Sequence, residues 1–463
     1  MVLICILHLM VAGVLLAVAL TKGFEATLPV FVFAATVLPG ESKIVVPGMF
    51  DLSTTRVAII VLTCLYLALG SRNGGKRRRF ATPLRYLLLS TLVWNLISAF
   101  NSVVFTNSLK VVLSNALDFY VVYYIFATSV TTVRTSHKIL AAIVAALTVC
   151  CVSGLLETYF GWRFIDQFPA LTYRFSNQGY MEDLRTRSTF PHSILFANAL
   201  TLGIPWVLYF LTVAKTNLQK VYLWISLILM FWNIYKTMSR GPWLALVLSV
   251  VLMLLFGPTS IRKYLTIIAL VTSAVLIVRP GVWDTLRNTY YATTDPDSPR
   301  GSSYEYRYTL MRVGMRALAK DVSRSAWGFG PESFSYLGLE EINPSTGNMN
   351  NVESCDSAVV AIMVETGYVG LFLVAALLLK TLVILWQEWR HMAKSANLFC
   401  LISAINVIAY CLMMTCVQNW GWGQQSYIFW VLLAVSLTYP RLYRTQRRAW
   451  KHVPHAEAEA VPC

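Results

Sequence analysis

The feature that most constrains this chain is the recurrence, from one end to the other, of apolar runs roughly 15 to 22 residues long, the length a helix needs to cross a hydrocarbon core about 30 Å thick. Membrane-barrel strands would alternate apolar and polar residues instead, and these runs do not alternate. The fold class read from the pattern is all-α: a polytopic integral membrane protein of about 12–13 transmembrane helices. Composition agrees, since 57% of the 463 residues are hydrophobic and 13% charged, with a mean hydropathy of +0.59. A soluble fold would have to hide too much apolar surface.

The expected spans are Val2–Leu20, Phe24–Pro39, Arg56–Leu69, Arg85–Val104, Val111–Thr131, Ile139–Leu156, Ile194–Val213, Val221–Tyr235, Trp243–Phe256, Tyr264–Val278, Gly367–Trp386, Asn397–Val417 and Tyr427–Thr438. The second contains Glu25 and Pro29 and reads as a broken or re-entrant segment. The first is read as a span and not as a secretory signal, because it has no basic start and its apolar stretch is too long. The nine cysteines lie mostly inside apolar runs, with no CxxC pair, so neither a disulfide framework nor a zinc site is indicated.

Lysine and arginine in short connections mark the cytoplasmic side. One alternate set of connections is basic: SRNGGKRRRF (Ser71–Phe80), Arg134 with Lys138, Lys215 with Lys220, Arg262 with Lys263, Arg390 with Lys394, and the tail from Pro440 to Cys463. Much of the net charge of +16 is thus a topology signal. The cluster Lys76–Arg79 reads as an anchor facing anionic lipids, not as a nucleic-acid site. Residues 1–463 form one membrane domain whose outer side carries two long loops, Glu157–Ser193 and Arg279–Asp356, and the short turn Ser239-Arg240-Gly241. Arginines outnumber lysines on that side, a preference that suits bidentate recognition of phosphate or carboxylate. Within the second loop, Ser302–Lys320 reads as an amphipathic helix at the membrane–water interface. Its apolar face is Tyr304, Tyr308, Met311, Met315 and Leu318, and Arg312, Arg316 and Lys320 form a stripe four residues apart.

No Walker loop, dinucleotide fingerprint, HExxH or GxSxG motif is present. What remains is a set of charged groups on the outer side. Arg187 precedes a proline and a new span, and Arg240 in SRGPW opens another. Each reads either as a headgroup anchor or as the holder of an anionic ligand, and the helix start beside Arg240 offers unpaired amides to the same anion. Asp356, directly before an apolar helical run, reads as an N-cap or as a general base. Glu365 caps or orients the short segment before Gly367. His192 reads as a proton acceptor or as an interfacial polar residue.

These segments resemble a known family. TRSTFPHSILFANAL (Thr186–Leu200), MSRGPWLAL (Met238–Leu246), YRYTLMRVGMRALAKDVSRSAWGFGPESF (Tyr306–Phe334) and DSAVVAIMVETGYVGL (Asp356–Leu371) occur in the order seen in the O-antigen ligase and polymerase superfamily of bacterial membrane proteins. The resemblance covers roughly Arg185 to Leu371. It implies a glycosyltransferase with no metal or other cofactor, acting on polyprenyl pyrophosphate-linked glycans at the periplasmic face of the inner membrane. Membrane lipids are its other contact, and the flippase and chain-length regulator of the same pathway are possible partners. By the resemblance Arg187 and Arg240 hold the donor pyrophosphate, and Arg307 matches a recurrent family arginine. Arg312, Arg316, Glu365 and His192 complete the expected substrate-binding set. The Glu-x-Gly-x-x-Gly-Leu ending matches at Glu365, Gly367, Gly370 and Leu371. Ligases of the family carry histidine then asparagine nine residues before that glutamate, where this chain has Asp356 and Ser357. Aspartate there resembles members that polymerise repeat units, so polymerase is the first expectation, ligase the second and a transporter of lipid-linked sugars the third.

Overall fold

The computed structural model describes residues 2–40, 42–44, 46, 51–70, 82–168, 185–278, 287, 291, 299–342, 349–351 and 355–451. The Lys76–Arg79 cluster, much of both long outer loops and the end of the basic tail lie outside the described residues. Every stretch expected to span lies on a helix: α1 (Val2–Lys22), α2 (Thr27–Val37), α3 (Thr54–Leu69), α4 (Arg85–Phe100), α5 (Phe105–Asn115) running through a π turn into α6 (Val122–Ser129), α7 (Val133–Phe160), α8 (Ser193–Val213), α9 (Asn217–Lys236), α10 (Arg240–Phe256) and α11 (Thr259–Val278). Two outer helices follow, α12 (Pro299–Ala319) and α13 (Val322–Trp327), and the chain ends on α14 (Ala358–His391), α15 (Lys394–Met414) and α16 (Gln424–Lys451).

Among the described residues six segments are long and apolar enough to cross a membrane by length and composition: α1, the α5–α6 run, α7, α8, α14 and α15. The helices α2, α3, α4 and α10 are shorter and apolar. Among the described residues strands are confined to two short antiparallel pairs, β1 (Lys43–Ile44) with β2 (Leu52–Ser53) and β3 (Glu340–Ile342) with β4 (Met349–Asn351). The protein is an all-α polytopic membrane protein.

Helix α8 is the axis of the bundle. Its sequence is apolar nearly all round, and the side chains from Leu195 to Tyr209 are buried against α7, α9, α10, α15 and α16. Lipid tails are as apolar as these side chains, so the bundle is held by close packing and interhelical hydrogen bonds more than by exclusion of water. Gly203 of α8 meets Leu147 of α7, where an added Cβ would stand 2.3 Å from the leucine Cδ1. Asn233 of α9 donates to the Cys151 carbonyl of α7 at 3.1 Å.

Three elements depart from the sequence reading. Pro29 does not break α2: it is the third residue of the helix, where a missing N–H costs nothing, and the interruption comes before it as a short 3-10 turn, Phe24–Ala26. The fifth span starts at Phe105 and not at Val111, because Asn107 and Lys110 are helical despite their polarity. The span expected to begin at Gly367 begins at Ala358, and Gly367 interrupts it with φ 71° and ψ −178°.

Candidate functional site

One end of the bundle opens into a cavity of about 800 Å³. Its walls come from the starts of α3, α5, α8 and α14, the α15–α16 connection and the segment Pro331–Tyr336. These are the helix ends that the lysine and arginine distribution assigns to the outer side. The lining mixes aromatic rings (Trp94, Trp420, Trp422, Trp430) with amides (Asn95, Asn107, Asn115, Gln424).

Asp356, His192 and Glu365 all line this cavity. The N-cap reading of Asp356 is overturned: the cap of α14 is Ser357, whose Oγ accepts from the Val360 N–H at 3.4 Å, with the Ala358 N–H bonded to the Val417 carbonyl at 3.2 Å. Asp356 is half-buried on the wall one residue earlier. His192 caps α8, its Nδ1 accepting from the Ile194 N–H at 3.1 Å. In the neutral ring this places the proton on Nε2. The imidazole lies 6.4 Å from the Trp422 ring. Beside Asp356, burial pushes the Cys355 thiol up to about 12, so it stays protonated at neutral pH and is no nucleophile.

Glu365 sits at the kink. Its carboxylate accepts from the backbone N–H groups of Glu332 and Phe334, and its carbonyl accepts from the Gly330 N–H and the Ser98 hydroxyl, both at 2.8 Å. The Trp327–Gly330 segment lies backbone to backbone on α14. A Cβ at Gly328 (φ 75°) would meet the Glu365 carbonyl carbon at 2.4 Å, and one at Gly367 would meet the Ala326 oxygen at 2.0 Å. Only glycine fits either place.

Arg187 and Arg240 are not on the cavity lining, but their turns stand against each other. The Thr186 N–H donates to the Lys236 carbonyl at 3.3 Å, and the Arg185 guanidinium donates to the Thr237 carbonyl at 2.8 Å and the Ser239 hydroxyl at 2.9 Å. Arg187 pairs through Nη2 with Asp166 at 3.0 Å, and its Nε is buried without a hydrogen-bond partner among the described residues. Arg240 is the first residue of α10, whose Ser239 cap position makes no side-chain bond to the helix amides. Gly241 brings this helix start to the cavity wall: a Cβ there would stand 2.8 Å from Cys416 Cβ, and Cys416 lines the cavity. Among the described residues the non-glycine positions at positive φ are Ser188, Met238 and Glu332, in the RTRS turn, the MSRG turn and the cavity wall respectively. Such conformations persist only where the surroundings impose them, and they cluster at functional sites.

Residues 225–375 match the family model described as O-antigen ligase. The match supports membership of the O-antigen ligase and polymerase superfamily. No curated protein matches it. The family segment runs from α9 into α14 and so contains Arg240, the outer helix α12, the Trp327–Gly330 segment, Asp356 and Glu365, while Arg187 and His192 precede it.

The outer helix α12 carries, beside the apolar positions read from the sequence, a second face that packs on the protein. Leu310, Val313, Gly314 and Leu318 are the buried face of α12, and Tyr308, Met311 and Met315 are exposed at 56%, 42% and 45%. The reason is Gly314: a Cβ there would come within 2.7 Å of Val364, so the helix approaches α14 most closely along its small residue, which a search for bulky apolar positions passes over. Arg312 lies over the Tyr308 ring at 5.0 Å and Arg316 is exposed. The side chain of Arg307 lies outside the described residues. None of the three arginines is on the cavity lining given by the described residues.

Three cavity groups escaped the sequence reading. Arg56 of α3 pairs with Asp118, its Nε and Nη2 both donating to Oδ2 at 2.9 Å, and its Nη1 donates to the Asp51 carbonyl at 2.7 Å. Asp118 sits on the π turn Ala116–Val121, a geometry frequent at functional sites. Lys43 pairs with Asp51 at 2.8 Å. Lys110 lines the same cavity. For Asp118 the available signal was an ionisable residue inside an apolar run, whereas Lys110 stands just before that run.

Proposed function

We propose that the chain polymerises polyprenyl pyrophosphate-linked oligosaccharide repeat units into surface polysaccharide, at the periplasmic face of the bacterial inner membrane. The observation that carries this reading is Asp356: a carboxylate that is not the helix cap, on the wall of a cavity whose rings and amides suit a saccharide, beside the turns that hold Arg187 and Arg240.

In this reading the guanidinium groups of Arg187 and Arg240, with the uncapped amides at the start of α10, hold the donor pyrophosphate. The acceptor hydroxyl oxygen attacks the anomeric carbon from the face opposite the leaving group. The bond to the pyrophosphate oxygen breaks, and the electron pair leaves with it. Fixed positive charge is worth most there, because it acts where negative charge grows in a water-poor site. Asp356 takes the proton of the attacking hydroxyl. Glu365 holds the Pro331–Tyr336 wall in place through the amides it accepts from. No cofactor enters the reaction in this reading, since the arginines supply the charge that a divalent cation supplies elsewhere.

Loss of one such guanidinium costs on the order of 3 kcal/mol, or roughly a hundredfold in rate. Arg187→Ala and Arg240→Ala are each expected to abolish long-chain polysaccharide in cells while the protein stays inserted and abundant. A normal chain-length ladder in both variants contradicts the pyrophosphate clamp.

A further inference from the structure

Helix α5 turns a polar stripe into the cavity. Asn107, Lys110, Ser114 and Asn115 line it, with Asp118 following on the π turn. Steps of three and four residues place these groups on one helix face, while Phe105 and Leu113 on the other side are exposed. Lysine inside an apolar span is costly unless it has a role. Two cavity cations are matched, Lys43 by Asp51 and Arg56 by Asp118. Lys110, half-buried, has no ion-pair or hydrogen-bond partner among the described residues. The amides beside it can each donate and accept, as a sugar's hydroxyl pairs require.

We propose that this stripe is the acceptor subsite and that Lys110 binds an oxyanion on the acceptor chain, a sugar carboxylate or a phosphate oxygen of its lipid carrier. The assignment rests on the glycan-polymerase reading. Arg187 and Arg240 are not on the cavity lining, so the stripe is separate from the donor clamp. The cavity also carries Asp51, Asp118, Glu332, Asp356 and Glu365. Asp51 and Asp118 are matched by Lys43 and Arg56, and the remaining carboxylates disfavour an anion away from Lys110, so Lys110 fixes where the anion sits and thereby the register of the acceptor.

The test titrates full-length protein in lipid nanodiscs with paired probes, read by fluorescence of the cavity tryptophans. One pair is a glucuronate-containing disaccharide and its carboxyl-reduced neutral counterpart. The other is farnesyl pyrophosphate and farnesol, run on an Arg240→Ala background to weaken the donor clamp. The expected result is that the anionic member of one pair binds roughly tenfold or more tightly than its neutral partner, that Lys110→Met erases the preference and that Lys110→Arg keeps it. A preference in the first pair assigns the anion to the sugar, and one in the second assigns it to the carrier. No preference in either pair, or one that survives Lys110→Met, overturns the assignment. Lys110→Met removes a charge from a span, so insertion is not endangered. The polysaccharide ladder is a separate readout. Intact ladders in Arg187→Ala and Arg240→Ala sink the polymerase reading whatever Lys110 does. Lost ladders with unchanged probe binding in Lys110→Met sink only the acceptor subsite.

Discussion

Asp356 and Ser357 show how one position separates structure from chemistry. Ser357 closes the first turn of α14, and Asp356 faces the cavity. Ser357→Ala is expected to cost about 1 kcal/mol of stability, seen as a lower Tm in detergent, with turnover retained. Asp356→Asn is expected to leave Tm unchanged and lower kcat by about 100-fold or more. The reverse pattern would return Asp356 to a capping role. Sequence spacing alone put the cap at Asp356; the hydrogen bond from Val360 to Ser357 moves it one residue on. Arg187 poses a similar question. If its pairing with Asp166 is its purpose, Asp166→Asn removes the ladder as Arg187→Ala does. The clamp reading expects Asp166→Asn to keep it.

At the scale of elements, the span positions were legible because a membrane imposes one length and one polarity on every crossing helix. The ends were not, because they are set by contacts between segments distant in sequence. Lys110 and Asn107 lie inside a helix that hydropathy starts later, since their polar atoms face a cavity that hydropathy cannot see. The face of α12 that packs on α14 was not legible for the same kind of reason, its closest contact being a glycine against Val364. The kink in α14 carries its own prediction. Gly367→Ala places a Cβ on the Ala326 carbonyl and an L-residue at φ 71°, and is expected to cost about 1–3 kcal/mol. Because the Trp327–Gly330 segment rests on that kink, limited proteolysis should cut residues 328–342 faster in the variant. Unchanged cleavage and Tm would mean that the kink does not hold the segment.

For the whole molecule, the cavity is a product of assembly: its lining is drawn from α3, α4, α5, α8, α14 and α16, and no one stretch of sequence contains it. The motif order pointed to Asp356 on that lining and to the two arginines, which lie off it. The Arg56–Asp118 pair that joins α3 to the π turn had no motif to mark it. Breaking that buried pair with Asp118→Ala strands a guanidinium and is expected to destabilise by about 3–5 kcal/mol, whereas replacing both partners with apolar residues costs less. Thermal unfolding of the single and double variants checks this, and equal losses would contradict it. The most direct test of the polymerase reading uses the purified protein with lipid-linked repeat units as its sole substrate. The reading expects lengthening lipid-linked chains; product formed only after a separate acceptor is added would contradict it.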